Sequence, residues 1–266
     1  MAEQLSLRFD PALPAPGSIA PMLATPRPDA FDSDAFLFEP WWGGHRALAF
    51  VGPGDVPGAG GTRIVDAAGI DRSAALPELA GLAVRVAARS AVLDGELVVV
   101  DSRGRIDPDG LRERIDGRPG KPVAYLVFDL LHLDGTWLIG RPLERRRELL
   151  RRILRPGDEV VVVPAIAGEG RALHAAVVAQ GIAGILARRR TSPYLPGVRS
   201  TLWRSIAAVP AQGADAGAGE AALLDEAAAS TSTAPVLALF RRLPLDEPLE
   251  PVDLPPDVPE DGPEVL

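Results

Sequence analysis

Residues 123–131 read Val-Ala-Tyr-Leu-Val-Phe-Asp-Leu-Leu. The run is a strong buried strand, and it ends at the polar turn His132-Leu133-Asp134-Gly135. A second apolar stretch, residues 91–101, is Ala-Val-Leu-Asp-Gly-Glu-Leu-Val-Val-Val-Asp. Its Asp94-Gly95-Glu96 centre reads as a turn between two strands, a hairpin carrying surface acids. A third strand, Phe36-Leu37-Phe38, passes through Glu39-Pro40-Trp41-Trp42-Gly43-Gly44-His45-Arg46 into a strand at 47–51. On the residues alone this is a tight hairpin with a Trp anchor. Helical spacing marks residues 76–88, 142–154 and 170–180. The Arg run of 142–154 reads as a solvated face paired with Glu144 and Glu148.

No stretch approaches about 18 uninterrupted apolar residues, so no membrane-spanning helix is expected. Residues 1–16 lack the apolar core of a signal peptide, and a cytoplasmic protein is expected. The chain has no cysteine, which excludes disulfides and Cys-based zinc sites. Its net charge of −8 is uneven, because residues 211–266 carry two Arg against twelve acids. The body is near neutral, so whole-chain acidity does not exclude a nucleic-acid partner. The expected organisation is a leader at 1–17, a domain at 18–209 and a disordered Ala/Pro-rich acidic tail at 210–266. Within the tail, residues 236–243 form a short element that docks back or binds a partner.

Residues 37–47 resemble the nucleotide-attachment motif of ATP-dependent DNA ligases of the bacterial LigD-like type, Glu-Pro-Lys-Trp-Asp-Gly-x-Arg-Ala. Glu39, Pro40, Trp42, Gly44, Arg46 and Ala47 match. Trp41 stands at the nucleophilic lysine and Gly43 at the aspartate. Pro21-Met22-Leu23-Ala24 is similar to the segment that precedes the first strand in that family. Asp66-Ala67-Ala68-Gly69 aligns with Ser-Arg-Asn-Gly, so the arginine position holds Ala67. Asp94-Gly95-Glu96-Leu97 matches the motif that holds the ribose and a metal. Residues 123–135 match Val-Phe-Asp-Leu-Leu-x-Leu-Asp-Gly, whose aromatic, here Phe128, stacks on adenine. A plain core phenylalanine fits the local pattern equally. Residues 181–194 resemble Gly-x-Glu-Gly-Val-Val-Ala-Lys-Arg-x-x-Ser-Pro-Tyr, with Ala183 at the metal-associated glutamate. Ser205 and Ala207 occupy the two closing lysine positions.

The resemblance implies an α+β nucleotidyltransferase (adenylation) fold, ATP-grasp-like, with two antiparallel sheets flanked by helices and a cleft between them. The 56 residues after 210 are too few for the oligonucleotide-binding barrel that usually follows. It further implies nucleotide contacts at Glu39, Trp41, Arg46, Glu96 and Phe128, and a metal at Asp94 and Glu96. The implied cofactors are ATP and Mg²⁺. The implied partners are nicked or broken DNA, and repair proteins reached through residues 236–266. The chemistry needs a lysine amine to attack the α-phosphate, and a guanidinium does not replace it because it stays protonated. Lys121 is the only lysine, against 27 Arg, and its turn precedes the 123–131 strand at the end remote from Phe128. The expectation is a ligase-like protein that does not adenylate and retains a binding role. The alternatives are a working ligase using non-standard residues, and an interaction module with no ligand in the cleft.

Overall fold

The computed structural model describes residues 13–56, 59–101, 104–208, 239–240 and 243–245. Most of the expected leader and most of the expected tail lie outside these residues. One sheet joins five strands in the order β1 (Leu23–Pro26), β11 (Arg199–Ala207), β10 (Gly184–Arg189), β2 (Ser33–Trp41) and β9 (Ile166–Gly168). The other runs β4 (Ala59–Asp66), β3 (His45–Val56), β5 (Ala91–Val99), β6 (Val123–Leu133) and β7 (Thr136–Trp137). A further strand, β8 (Val160–Val162), also pairs with β6. Pairing is antiparallel except β1 with β11 and β6 with β8. The chain crosses from the first sheet to the second at the Trp42–Gly44 turn, between β2 and β3.

Two apolar layers follow from strand alternation. Leu93, Leu97, Tyr125 and Val127 face Leu79 and Leu82, helix α1 (Pro108–Ile115) and helix α2 (Leu143–Ile153). On β2, Phe36 and Phe38 join Ile185, Ile206 and helix α3 (Gly170–Ala179). Glu39 has the opposite parity and points into the space between the sheets.

Three local readings are corrected. Residues 91–99 form one fully buried strand, with no turn at Asp94-Gly95-Glu96. A Cβ on Gly95 would meet the Tyr125 ring at 2.5 Å and the Leu126 carbonyl at 2.6 Å. That glycine marks a close approach inside a sheet, not a bend. The expected helix at 76–88 is a 3-10 helix over Pro77–Arg85. Its buried Leu79 and Leu82 are three apart, the 3-10 period.

The Arg run of α2 is the third. Leu143, Arg146, Arg147, Leu150 and Ile153 form its buried face, so Arg146 and Arg147 lie on the apolar stripe and are fully buried. Arg146 makes two 2.8 Å bonds to Asp129. Arg147 pairs with Glu39 and donates to the carbonyls of Phe128 (3.1 Å) and Val163 (2.8 Å). The outward Arg145 and Arg152 pair with Glu148.

Removing one partner of a buried ion pair leaves the other charge uncompensated. Arg147→Ala is therefore expected to lower unfolding free energy by about 3–5 kcal/mol in urea titrations. Arg145→Ala, on the half-exposed face, is expected to cost less than about 1 kcal/mol. Equal losses would contradict the buried assignment.

Candidate functional site: the cleft between the sheets

The Trp42–Gly44 turn is shaped by its glycines. Gly43 has φ +72°, a left-handed conformation that favours glycine. Gly44 lies so close to β5 that a Cβ would collide with the Leu97 carbonyl. The turn thereby aims the Gly44 N–H at the Glu96 carboxylate, which accepts from it. The Trp42 N–H also supports Glu96. Glu96 is buried, and burial pushes its carboxyl up to about 7, against these N–H groups and Arg46, which pull it down.

Arg46, on β3, makes a two-pronged pair with Asp94 at 2.6 and 2.5 Å. The Tyr194 hydroxyl donates to the same Asp94 at 2.7 Å and accepts from the Met22 N–H at 2.9 Å. Burial is the largest influence on Asp94 and pushes its carboxyl up, while Arg46 and Tyr194 pull it down. Burial also opposes the Arg46 charge, but Asp94 outweighs it and the guanidinium stays protonated. Tyr194 was not among the expected site residues. The signal was present, because it closes the Ser192-Pro193-Tyr194 match.

Phe128 sits at a register break. Asp94 is opposite Asp129 and Gly95 is opposite Val127, so Phe128 has no partner on β5. The bulge frees its carbonyl, which accepts from both Arg147 and Arg188. The Arg188 guanidinium lies 4.1 Å from the Phe128 ring centroid and Arg46 lies 4.5 Å from it. Arg188 also lies 4.9 Å from Trp203 and pairs with Glu39. Glu39 is fully buried and takes both Arg147 and Arg188.

The structure places several of the positions singled out in the sequence near one another, at the end of the cleft by Gly184 and the Trp42–Gly44 turn. Trp41 and Ala207 flank Gly184 on one rung of β2, β10 and β11. Ser205 lies two rungs away with Glu39, opposite Leu186. A Cβ on Gly43 would lie 3.1 Å from that of Ala183. Ala67 hydrogen-bonds through its N–H to the Arg46 carbonyl. Trp41 is half-buried at the end of β2. Asp94 and Glu96 are on the cleft face of β5 but do not converge, since each has its own partners. Among the described residues, no group of three or more His, Asp or Glu is arranged to hold a metal. Lys121 pairs with Asp107 at 2.9 Å on the surface, half-exposed. No helix among the described residues is long and apolar enough to cross a membrane.

Glu96 gives the cleft a pH signature. Its folded pKa of about 7 lies above the ordinary 4.5, so the native state holds the proton more tightly than the unfolded chain. That contribution is complete below about 4.5 and is lost as the pH rises through about 7. Glu96→Gln fixes the neutral form. The stability of wild type relative to Glu96→Gln should fall by about 3 kcal/mol between pH 4.5 and 8. Urea unfolding of both proteins across that range measures it, and parallel curves would refute the buried-acid assignment.

The family model for the ATP dependent DNA ligase domain matches residues 21–206. The multifunctional non-homologous end joining DNA repair protein LigD of Mycobacterium tuberculosis is 35% identical over 187 residues, covering 70% of this chain and 23% of that protein. A DNA ligase of Methanoculleus marisnigri is 30% identical over 146 residues, 50% of this chain and 26% of that protein. The chain thus spans about a quarter of these relatives' length. Among solved structures, mycobacterial DNA ligase D complexed with ATP and MES superposes with a TM-score of 0.62 at 32% identity, over 72% of this chain and 60% of that one. The ligase domain of M. tuberculosis LigD gives 0.60 at 32% identity, over 71% and 59%. With the family model matching residues 21–206 and the two-sheet fold superposing on these solved ligase domains, the chain belongs to the ATP-dependent DNA ligase domain family.

Proposed function

We propose that this ligase-family domain does not transfer adenylate and serves DNA end joining as a binding element, with broken or nicked duplex as its partner class. The carrying observation is the state of the Phe128 face. Where the resemblance assigns adenine, the Arg188 guanidinium lies at 4.1 Å, tied to Glu39. The residues present do not fit ATP with Mg²⁺. Asp94 is engaged by Arg46 and Tyr194, and Trp41, Gly43, Ala183, Ser205 and Ala207 offer neither an amine nor a carboxylate. Adenylation needs a nucleophile and fixed charges around the α-phosphate. The alternative is an active ligase with non-standard residues; the chain's one lysine, Lys121, is held by Asp107 at the surface.

The domain is read as residues 18–209, followed by the acidic tail, and its compartment as the cytoplasm. The DNA role rests on the end-joining function named for the mycobacterial relatives, because fold alone does not fix activity.

Full-length protein incubated with α-labelled ATP and Mg²⁺ should form no protein-linked adenylate and should seal no nicked duplex. A labelled nicked duplex should show salt-sensitive binding in fluorescence anisotropy. Trp41→Lys alone should remain adduct-free, since Gly43 and Ala183 still leave the cleft without its carboxylates. A stoichiometric adduct on the wild-type chain would overturn the proposal.

A further inference from the structure

The second apolar layer contains a contribution from far along the chain. Leu239, Phe240 and Leu243 are buried in it, together with Val98, Ala124 and Leu126. Leu245 packs against the same cluster. The anchor is Phe240, whose ring meets Trp42 edge-on at 5.4 Å and 84°. Thirty residues separate Leu239 from Ala208, the last described residue after β11.

Trp42 is not an arbitrary place to dock. It begins the turn that joins the two sheets, and its N–H and that of Gly44 support Glu96. Its indole Nε1 is buried without a hydrogen-bond partner among the described residues. The indole lies in the apolar cluster that also holds Phe240, which it meets edge-on.

We infer that the space beside Trp42 is a docking groove for an aromatic-anchored peptide, and that its occupant is the chain's own Leu239-Phe240…Leu243 segment, acting as an intramolecular latch on the Trp42–Gly44 turn. The spacing supplies two adjacent apolar residues and a third three positions after Phe240. An aromatic anchor flanked by aliphatic contacts is the usual composition of an energetically dominant peptide contact. Being in the same chain, the segment meets the groove at an effective concentration on the order of millimolar, so a modest intrinsic affinity suffices. Occupancy of the latch then controls how firmly the turn presents its N–H groups to the cleft. This holds whether or not the cleft adenylates, so it stands apart from the preceding proposal.

The test uses the full chain with one specific protease site placed between residues 211 and 235. After cleavage of the folded protein, the C-terminal fragment should co-elute with the body in gel filtration. Excess synthetic peptide spanning 236–248 should displace it. Phe240→Ala in the same protein should weaken retention by roughly 30-fold or more. In the uncut chain, Phe240→Ala should speed amide exchange of Gly44 at least about 10-fold, while β6 amides stay protected. The β6 signal separates loss of the latch from loss of the fold, and Leu239→Ala offers a milder second variant. Immediate loss of the wild-type fragment would overturn the latch, as would unchanged Gly44 exchange in Phe240→Ala. An uncut chain that elutes as a dimer, and as a monomer with Phe240→Ala, would overturn the intramolecular assignment in favour of exchange between copies.

Discussion

Glu39 is the point on which the two sheets close. It leaves β2 toward the cleft and receives Arg188 from β10 of its own sheet and Arg147 from α2, behind the other. Arg147 also reaches the carbonyls of Phe128 and Val163, and so ties β6 to the same carboxylate. Every member is buried. Such a triad is weak evidence for net stability, because three desolvated charges cost much of what their attraction returns. Its effect is geometric. It fixes the spacing of the sheets and places a guanidinium against Phe128, and everything else in the cleft is arranged around that placement.

The remaining polar groups follow from this closure. Arg46 is left with Asp94, and Tyr194 completes that carboxylate while accepting from Met22. Among the described residues Glu96 is bonded by the Gly44 and Trp42 N–H groups, with Arg46 acting at longer range, and burial dominates its protonation. The cleft is thus divided between ion pairs on one side and, beside the Trp42 turn on the other, an acid whose carboxyl is pushed up to about 7.

Much of this was legible in the chain, for identifiable reasons. The 123–131 strand is apolar on both faces, and such runs survive any tertiary context. The ligase motifs pointed to the family and its two-sheet fold because their turn residues and apolar flanks persist. Gly95 misled because glycine signals bends more often than close strand approach, and only the Tyr125 ring across the sheet distinguishes the two. Arg146 and Arg147 misled because charge outweighed period in the reading. Their positions three and four after Leu143 already placed them on the buried stripe, but their partners Asp129 and Glu39 are remote in sequence. The docking of Leu239 and Phe240 had a signal, a short apolar segment in a polar stretch, but its target on Trp42 had none.

The substitutions and the closure are two faces of one change. A lysine at 41 and acids at 43 and 183 would bring three charges to the region around Gly184, with Gly43 and Ala183 in near contact. Without them, Arg188 pairs with Glu39. Arg188 occupies the lysine position of the matched Ala-Lys-Arg motif, and a guanidinium can satisfy a carboxylate, a carbonyl and an aromatic face at once, as it does here with Glu39, Phe128 and Trp203. An ammonium group is a compact point charge and lacks that planar reach. Arg188 is therefore turned inward, held by Glu39, the Phe128 carbonyl and two aromatic faces. Restoring the lysine at 41 alone would leave Arg188 with no reason to turn back.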